Sequence, residues 1–206
     1  DGVYGVNNRN IMLQSRNENA SIRIGVNTYK VNDPVLFNDS NRFSSVIYNN
    51  TKGRITSIHD DGNEVYFEVE IDKSITEFDT FDVDGLDYIG SSITGKSIVG
   101  FGVDKSIDSD ADSYQDKVIP FQIAYAVTIH KAQGLEYDSV KIVISNEIEE
   151  QITHNVFYTA ITRAKKNLKV YWSPEVMNSV FKGFIEDKSK KDAQIFAGKY
   201  GLKMNK

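Results

Sequence analysis

The sequence predicts an α/β protein in which a β-rich segment interrupts a body of alternating helices and strands. From Pro120 onward the pattern runs helix, strand, helix, strand, helix, which is typical of a parallel sheet covered by helices. Between about residues 26 and 118, short runs of β-branched and aromatic residues alternate with turn signals such as Asp61-Gly62-Asn63. The distribution of charge separates the same two parts of the chain.

The net charge of −5 is spread unevenly along the 206 residues. Residues 60–116 contain 16 acidic and 3 basic residues, whereas the rest of the chain contains 13 acidic and 21 basic ones. Only the basic body could follow a nucleic-acid backbone, because contacts to phosphates come mainly from lysine and arginine. In the acidic segment, the charges are expected simply to solvate an exposed β-rich surface.

Composition excludes several classes of protein and site. Cysteine is absent, which rules out disulfides, thiolate metal sites and a cysteine nucleophile, and fits a reducing, cytoplasmic location. No apolar run is long enough to span a bilayer, so no membrane contact is expected. The first residues lack the pattern of a signal peptide and suggest a cut within a longer protein. The three histidines are scattered without metal-ligand spacing, so no metal site is expected.

The elements of the first half follow from local pattern. Residues 6–16 predict a short helix, with Ile11 and Leu13 as its buried anchors. Three strands are predicted next, over residues 34–37, 54–58 and 64–71. Short strands at this spacing favour a small antiparallel barrel. Residues 104–116 are polar and acidic and predict a mobile loop.

The elements of the second half alternate between helix and strand. A helix is predicted over residues 122–133, ending at Gly134. The continuous apolar run at residues 140–144 predicts a buried parallel strand. The pattern continues with a helix, a strand and a second helix, over residues 151–164, 168–172 and 174–184.

Residues 124–136 are the first stretch whose side chains could form a functional site. Its apolar residues fall on nearly every side of a helical wheel, yet four polar residues interrupt them: Thr128, His130, Lys131 and Gln133. Buried polar groups need partners, and a ligand or a phosphate chain could supply them. The alternative is that these side chains cap the helix and bond to each other, and the residues alone favour this alternative.

Residues 155–164 form the second stretch. On a helix, one face would carry the apolar residues Phe157, Tyr158, Ala160, Ile161 and Ala164. The opposite face would carry Asn155, Thr159, Arg163 and Lys166. An arginine that is carried by a packed helix and points away from the core can offer a rigid fork of hydrogen-bond donors to a phosphate. The commoner alternative is an ordinary solvent-facing arginine.

These two stretches resemble motifs of superfamily 1 helicases. Thr128-Ile-His-Lys-Ala-Gln-Gly134 resembles motif V, and Tyr158-Thr-Ala-Ile-Thr-Arg-Ala164 resembles motif VI. Their order and the strand between them also match, and the His-Lys-x-Gln-Gly form is closer to RecD-like helicases than to the UvrD branch. Gly5, Asn10, Leu13 and Gln14 resemble the segment after motif IV. Residues 31–35 and 48–53 resemble the start of the SH3-type barrel that RecD-like enzymes carry in their second motor domain.

The resemblance implies part of a DNA helicase, a motor of two RecA-like domains with ATP and Mg²⁺ in the cleft between them. Residues 1–25 and 119–206 would form most of the second RecA-like domain, with a parallel sheet and helices, and residues 26–118 would be the inserted SH3-type barrel. The partners would be the N-terminal RecA-like domain of the same protein and single-stranded DNA, with RNA left open. Without the first domain, the chain would bind no cofactor tightly and would be inactive.

The resemblance also implies a role for individual residues. Arg163 would be the arginine finger that stabilises charge on the γ-phosphate in the transition state. Gln133, Gly134 and Glu136 would lie at the nucleotide together with Arg163. The nucleic-acid strand would be contacted by Thr128, His130 and Lys131.

Two rival functions stay open at this point. Gly90-Ser-Ser-Ile-Thr-Gly-Lys-Ser97 satisfies the P-loop pattern, which would suit a free-standing nucleotidase. A P-loop opens a helix, however, and the next residues include two glycines and several β-branched residues that disfavour one. The other rival is a non-catalytic module that binds nucleic acid or protein on a helicase-like fold.

Overall fold

The computed structural model describes residues 5–39, 41–43, 45–105, 118–146 and 152–185. Contacts within the chain divide it into two compact units, Asp1–Thr128 and Ile129–Lys206, which are described separately below. Most of the acidic loop predicted at residues 104–116 lies outside the described residues. None of the helices in the described ranges is long and apolar enough to cross a membrane.

The first unit opens with helix α1, Val6–Gln14, which confirms the predicted helix. Ile11 was expected to anchor it but is 65% exposed, while Gln14 is buried. The Gln14 amide nitrogen donates to the carbonyl of Thr28 at 2.8 Å and to a carboxylate oxygen of Asp33 at 2.5 Å. The helix is therefore held by buried hydrogen bonds, which apolar periodicity does not reveal.

The rest of the first unit is antiparallel β structure with one short helix. A hairpin joins β1, Ser21–Ile24, to β2, Asn27–Lys30. The main sheet contains β3 (Pro34–Phe37), β4 (Lys52–Asp60), β5 (Glu64–Ile71), β6 (Asp87–Ser91), β7 (Ser97–Asp104) and β8 (Phe121–Ile123), and helix α2 (Glu77–Thr80) lies between β5 and β6. Its strand order is β6-β7-β5-β4-β3-β8, with every neighbouring pair antiparallel. The three predicted strands are confirmed, and closure into an SH3-type barrel stays a prediction.

The core of this unit is built on the alternation of β5, whose residues point in turn to the core and away from it. Val65, Phe67, Val69 and Ile71 are fully buried. Six aromatic rings complete the core through edge-on and tilted contacts between 5.2 and 6.2 Å: Tyr29, Phe37, Phe43, Phe67, Phe101 and Phe121.

The prediction of a helix over residues 122–133 is wrong, because the structure has no helix there. Its first two residues belong to β8, which pairs with β3 so that Val35 faces Ile123 and Phe37 faces Phe121. The sequence from residue 124 to residue 136 then forms bends and turns. Burial of Phe121 in the aromatic core and the pairing with β3 outweigh the helical period of the local sequence. The sheet thus extends beyond residue 118, and the division into 26–118 and flanking motor segments stays a prediction.

The second unit is α/β. Strand β9, Tyr137–Val143, and strand β10, Ala164–Tyr171, pair in parallel. Helix α3, His154–Ile161, connects them, and helix α4, Pro174–Ile185, follows. The predicted order strand, helix, strand, helix is confirmed for this unit, although α3 ends before Arg163. Strand β9 was expected to be buried, but buried Ile142 alternates with exposed Val143.

The core of the second unit lies between the helices and the strand pair. Its buried residues are Ile142, Ile144, Ile152, Ala160, Val176 and Val180. The rings of Phe157 and Trp172 stack beside them, 5.6 Å apart. Tyr158, expected on the apolar face of its helix, is instead 60% exposed.

Candidate functional site

Arg163 lies in the turn between α3 and β10 rather than within the helix. The turn forms because Thr162 caps the helix and its hydroxyl donates back to the carbonyls of Tyr158 and Thr159. Arg163 is half-buried, and its guanidinium donates three hydrogen bonds. Nε donates to the Thr159 carbonyl at 2.9 Å, Nη1 to the Leu135 carbonyl at 3.0 Å and Nη2 to the Thr162 hydroxyl at 3.2 Å.

Residues 129–136 approach this arginine as a series of turns. The N–H of Gln133 donates to the carbonyl of His130 at 3.2 Å, and that of Leu135 donates to Ala132 at 3.0 Å. Gly134 has φ +81°, a left-handed conformation that strongly favours glycine. Ala132 is the buried residue of these turns, which leaves the side chains on either side of it exposed.

The two predicted motifs meet at Leu135. The Leu135 carbonyl accepts a hydrogen bond from the Arg163 guanidinium. Two residues later, the N–H of Tyr137 donates to the Arg163 carbonyl at 2.9 Å. Glu136 forms an ion pair with Lys165 at 3.0 Å. Three of the predicted nucleotide residues, Gly134, Glu136 and Arg163, therefore lie in one small region of the second unit.

The remaining predicted residues lie on the surface of their units. Gln133, His130 and Lys131 are exposed on the turns of the second unit. Thr128 is exposed and is the last residue of the first unit. Within the described ranges, no group of three or more His, Cys, Asp or Glu side chains is placed to hold a metal ion.

The P-loop-like sequence forms a hairpin. Gly90 belongs to β6 and Ser97 begins β7, with a turn at residues 92–95 between them. Lys96 pairs with Asp72 at 3.1 Å, and buried Ser97 bonds to the backbone of Ile75. No helix N-terminus follows the pattern, so this segment lacks the geometry that receives phosphates in a P-loop.

Comparison with known proteins shows similarity to helicases over the region of the two motifs. Residues 123–171, which include every predicted site residue, match the UvrD-like helicase C-terminal domain. The RecBCD enzyme subunit RecD of Mycolicibacterium smegmatis is 33% identical over 67 residues, 32% of this chain and 12% of that protein. These matches support a fragment of a superfamily 1 helicase, of the RecD/UvrD-like type, that contains the C-terminal helicase motifs. This confirms the resemblance inferred from the two motifs.

Two further proteins are similar to this chain. An uncharacterised protein of Methanocaldococcus jannaschii, MJ1519, is 44% identical over 55 residues, 27% of the chain and 5% of that protein. A crystal structure of Pif1 helicase from Bacteroides in complex with ADP-AlF3 and single-stranded DNA superimposes with a TM-score of 0.50 at 17% identity. The superposition covers 96% of this chain and 44% of the Pif1 chain. The likeness shows a shared fold, and the parallel strands with helices fit an α/β fold of the RecA-like kind.

Two features around Arg163 do not follow from the motifs. The first is the Leu135 carbonyl, a backbone acceptor that no motif reveals. The second is Lys165, whose pairing with Glu136 places another cation beside the arginine. The adjacent lysines at positions 165 and 166 were the available signal for it.

Proposed function

We propose that the intact protein is an ATP-dependent DNA helicase, and that this chain supplies the arginine finger and part of the single-strand contact from its second RecA-like domain. ATP and Mg²⁺ would be held mainly by the first RecA-like domain of the same protein. Closure of the two domains on ATP would then bring Arg163 to the γ-phosphate. The absence of cysteine from the chain suits a cytoplasmic protein.

The observation that carries the proposal is the bond from Arg163 to the Leu135 carbonyl, which joins the two motifs in one place. A guanidinium has five N–H donors, and three of them donate to described residues. One N–H on each terminal nitrogen is left to reach a phosphate. An arginine whose direction is fixed by hydrogen bonds to neighbouring carbonyl and hydroxyl groups is suited to stabilising charge that develops in the transition state.

The residues beside Arg163 support contact with a nucleotide. Gly134 is exposed, and a Cβ built on it would meet no atom within 4 Å, so a ligand can approach the backbone closely. Glu136, exposed and paired with Lys165, is our candidate for a contact to the ribose of the nucleotide, and Gln133 is our candidate for a further nucleotide contact. Exposed cationic and polar side chains at Lys131, His130 and Thr128 are suited to the strand and its phosphates.

The antiparallel unit fits an insertion in the motor. We propose that its six-stranded sheet is an SH3-type barrel carried by the second RecA-like domain, whose parallel strands β9 and β10 form part of the motor sheet. Parallel sheets are normally covered on both faces. Exposed Val143, Leu168 and Tyr171 on this pair therefore suit a larger sheet in the intact protein.

The test is replacement of Arg163 by alanine in the intact protein. If Arg163 is an arginine finger, turnover of ATP should fall by about a thousandfold or more, while ATP and single-stranded DNA still bind. Lysine at this position should restore little, because it lacks the planar fork. Lys166→Ala is the matched control, since Lys166 is a nearby exposed cation that pairs with Asp138.

The melting temperature of the Arg163→Ala protein must be measured as well, because it shows whether turnover is lost through unfolding or through loss of the arginine finger. Arg163 makes three internal hydrogen bonds, so its loss is expected to cost some stability, about 1 kcal/mol per bond. A folded Arg163→Ala protein with near-normal turnover would exclude the arginine finger. If the unsubstituted protein binds DNA but never turns over ATP, the rival function, a non-catalytic binding module on a helicase fold, would be favoured.

A further inference from the structure

A buried polar network lies in the first unit around the carboxylate of Asp33, which is fully buried. One carboxylate oxygen accepts from the Gln14 amide at 2.5 Å and from the backbone N–H of Lys30 at 2.8 Å. The other accepts from the Asn17 amide at 2.9 Å and from the hydroxyl of Tyr125 at 2.9 Å. We call these four side chains, of Gln14, Asn17, Asp33 and Tyr125, the Asp33 network.

A second contact holds the residue after Tyr125. The Asn10 side-chain amide donates to the Ala126 carbonyl at 3.0 Å, and its carbonyl oxygen accepts from the Ala126 N–H at 2.8 Å. Asn10 belongs to α1, and 116 sequence positions separate it from Ala126. Two adjacent residues of one short segment are thus bonded to elements from the start of the chain.

These contacts matter because regular structure has ended at this point. Strand β8 stops at Ile123, and the last backbone bond to β3 is from the Ala124 N–H to the Pro34 carbonyl, 2.8 Å. Residues 125–128 belong to no helix or strand. The bonds from Asn10 and Asp33 therefore fix the direction of the main chain just before Thr128.

The network is suited to holding one geometry. A buried carboxylate is tolerated only when it is hydrogen-bonded, so displacement of its donors is costly. Burial and the neighbouring Asp33 carboxylate raise the pKa of Tyr125. The phenol consequently keeps its proton at neutral pH and remains a donor.

We propose that Asn10 and Tyr125 are positioning residues for single-stranded nucleic acid, which they serve by fixing the main chain that leads into Thr128. This inference rests on the proposed function, in which Thr128 contacts the strand. Neither side chain touches the nucleic acid. Loss of either bond should loosen residues 125–128 and weaken strand binding without abolishing the fold.

Hydrogen exchange tests the local effect in the 206-residue chain. Asn10→Ala and Tyr125→Phe should accelerate exchange of the backbone amides of residues 125–128, most strongly that of Ala126 in the Asn10 variant. Ser97→Ala is the matched control, because it removes two buried hydrogen bonds in the same unit, both to the backbone of Ile75. It should leave exchange at residues 125–128 unchanged once overall stability is taken into account.

Binding of a fluorescein-labelled oligo(dT) strand to the intact protein tests the consequence. The two variants should bind about three- to tenfold more weakly, the equivalent of one lost hydrogen bond, whereas Ser97→Ala should bind normally. Normal binding or unchanged local exchange in the two variants would overturn the positioning role alone. Failure of the unsubstituted protein to bind the strand would overturn the proposed function, and this inference with it.

Discussion

At the scale of single residues, the contacts of Ser97 indicate a structural role. The P-loop-like motif would instead give this residue a role in nucleotide binding. Its hydroxyl donates to the Ile75 carbonyl at 3.0 Å and accepts from the Ile75 N–H at 2.8 Å, with no exposed surface. Ser97→Ala leaves both groups without this partner and should lower the free energy of unfolding by about 1–3 kcal/mol. Urea denaturation followed by circular dichroism measures the loss.

The neighbouring Lys96 provides the control for Ser97. Its ion pair with Asp72 is partly exposed to solvent, so Lys96→Ala should change stability by about 1 kcal/mol or less. In a P-loop, the lysine would be the more important of the two for function. If Ser97→Ala and Lys96→Ala had equally small effects on stability, the buried hydrogen bonds between Ser97 and Ile75 would be contradicted.

Arg163 shows how far residue-level prediction from sequence could go. Its motif singled out the residue, and the helical wheel placed Ala160 and Ile161, which pack in the core of the second unit, on the opposite face. The wheel could not show that the helix ends at Ile161, because the Thr162 cap that ends it has no strong signature. The wheel also could not show that Arg163 donates to the carbonyl of Leu135. Every residue has a backbone carbonyl, so the sequence does not reveal which carbonyl accepts a hydrogen bond.

At the scale of elements, two glycines should respond to alanine in opposite directions. In strand β4, a Cβ on Gly53 would lie 2.7 Å from a methyl group of buried Val69 and 3.1 Å from the Glu70 carbonyl. The core must shift to admit it, so Gly53→Ala should destabilise the first unit by about 1–3 kcal/mol. In helix α4, a Cβ on Gly183 meets nothing within 4 Å.

Gly183→Ala should therefore stabilise the second unit by about 0.5–1 kcal/mol, because alanine loses less backbone entropy in a helix. Fluorescence of Trp172, the one tryptophan in the sequence, reports unfolding of this unit. Circular dichroism in the strand region follows the first unit. A stabilised Gly53→Ala protein would mean that strands β4 and β5 pack less closely than described.

The errors among the predicted elements have a common physical origin. Strands such as Glu64–Ile71 were predicted correctly because alternation along the strand mirrors burial directly. The helix predicted at residues 122–133 failed because its first residues complete a sheet with β3, which lies about 85 positions earlier in the chain. Helix α1 was located correctly, but its anchoring by buried Gln14 depends on distant Asp33. Local pattern carries no information about such long-range partners.

At the scale of the whole molecule, charge divides the chain into an acidic stretch and a basic remainder. The acidic stretch at residues 60–116 would repel a phosphate backbone, whereas the remainder has an excess of basic residues. The predicted strand contacts at His130 and Lys131 belong to the basic part. This distribution explains how an acidic protein can still be suited to nucleic acid.

The 206-residue chain alone should not hydrolyse ATP. Its match to the helicase family covers the C-terminal domain, and its one P-loop-like sequence, at residues 90–97, forms a β-hairpin. An arginine finger stabilises a transition state only when another site holds the nucleotide and its metal ion. Steady-state ATPase assays with and without single-stranded DNA should therefore show no turnover above the buffer control. Turnover that Lys96→Ala abolishes would revive the nucleotidase, whereas turnover that Arg163→Ala alone abolishes would mean that the second unit holds ATP unaided.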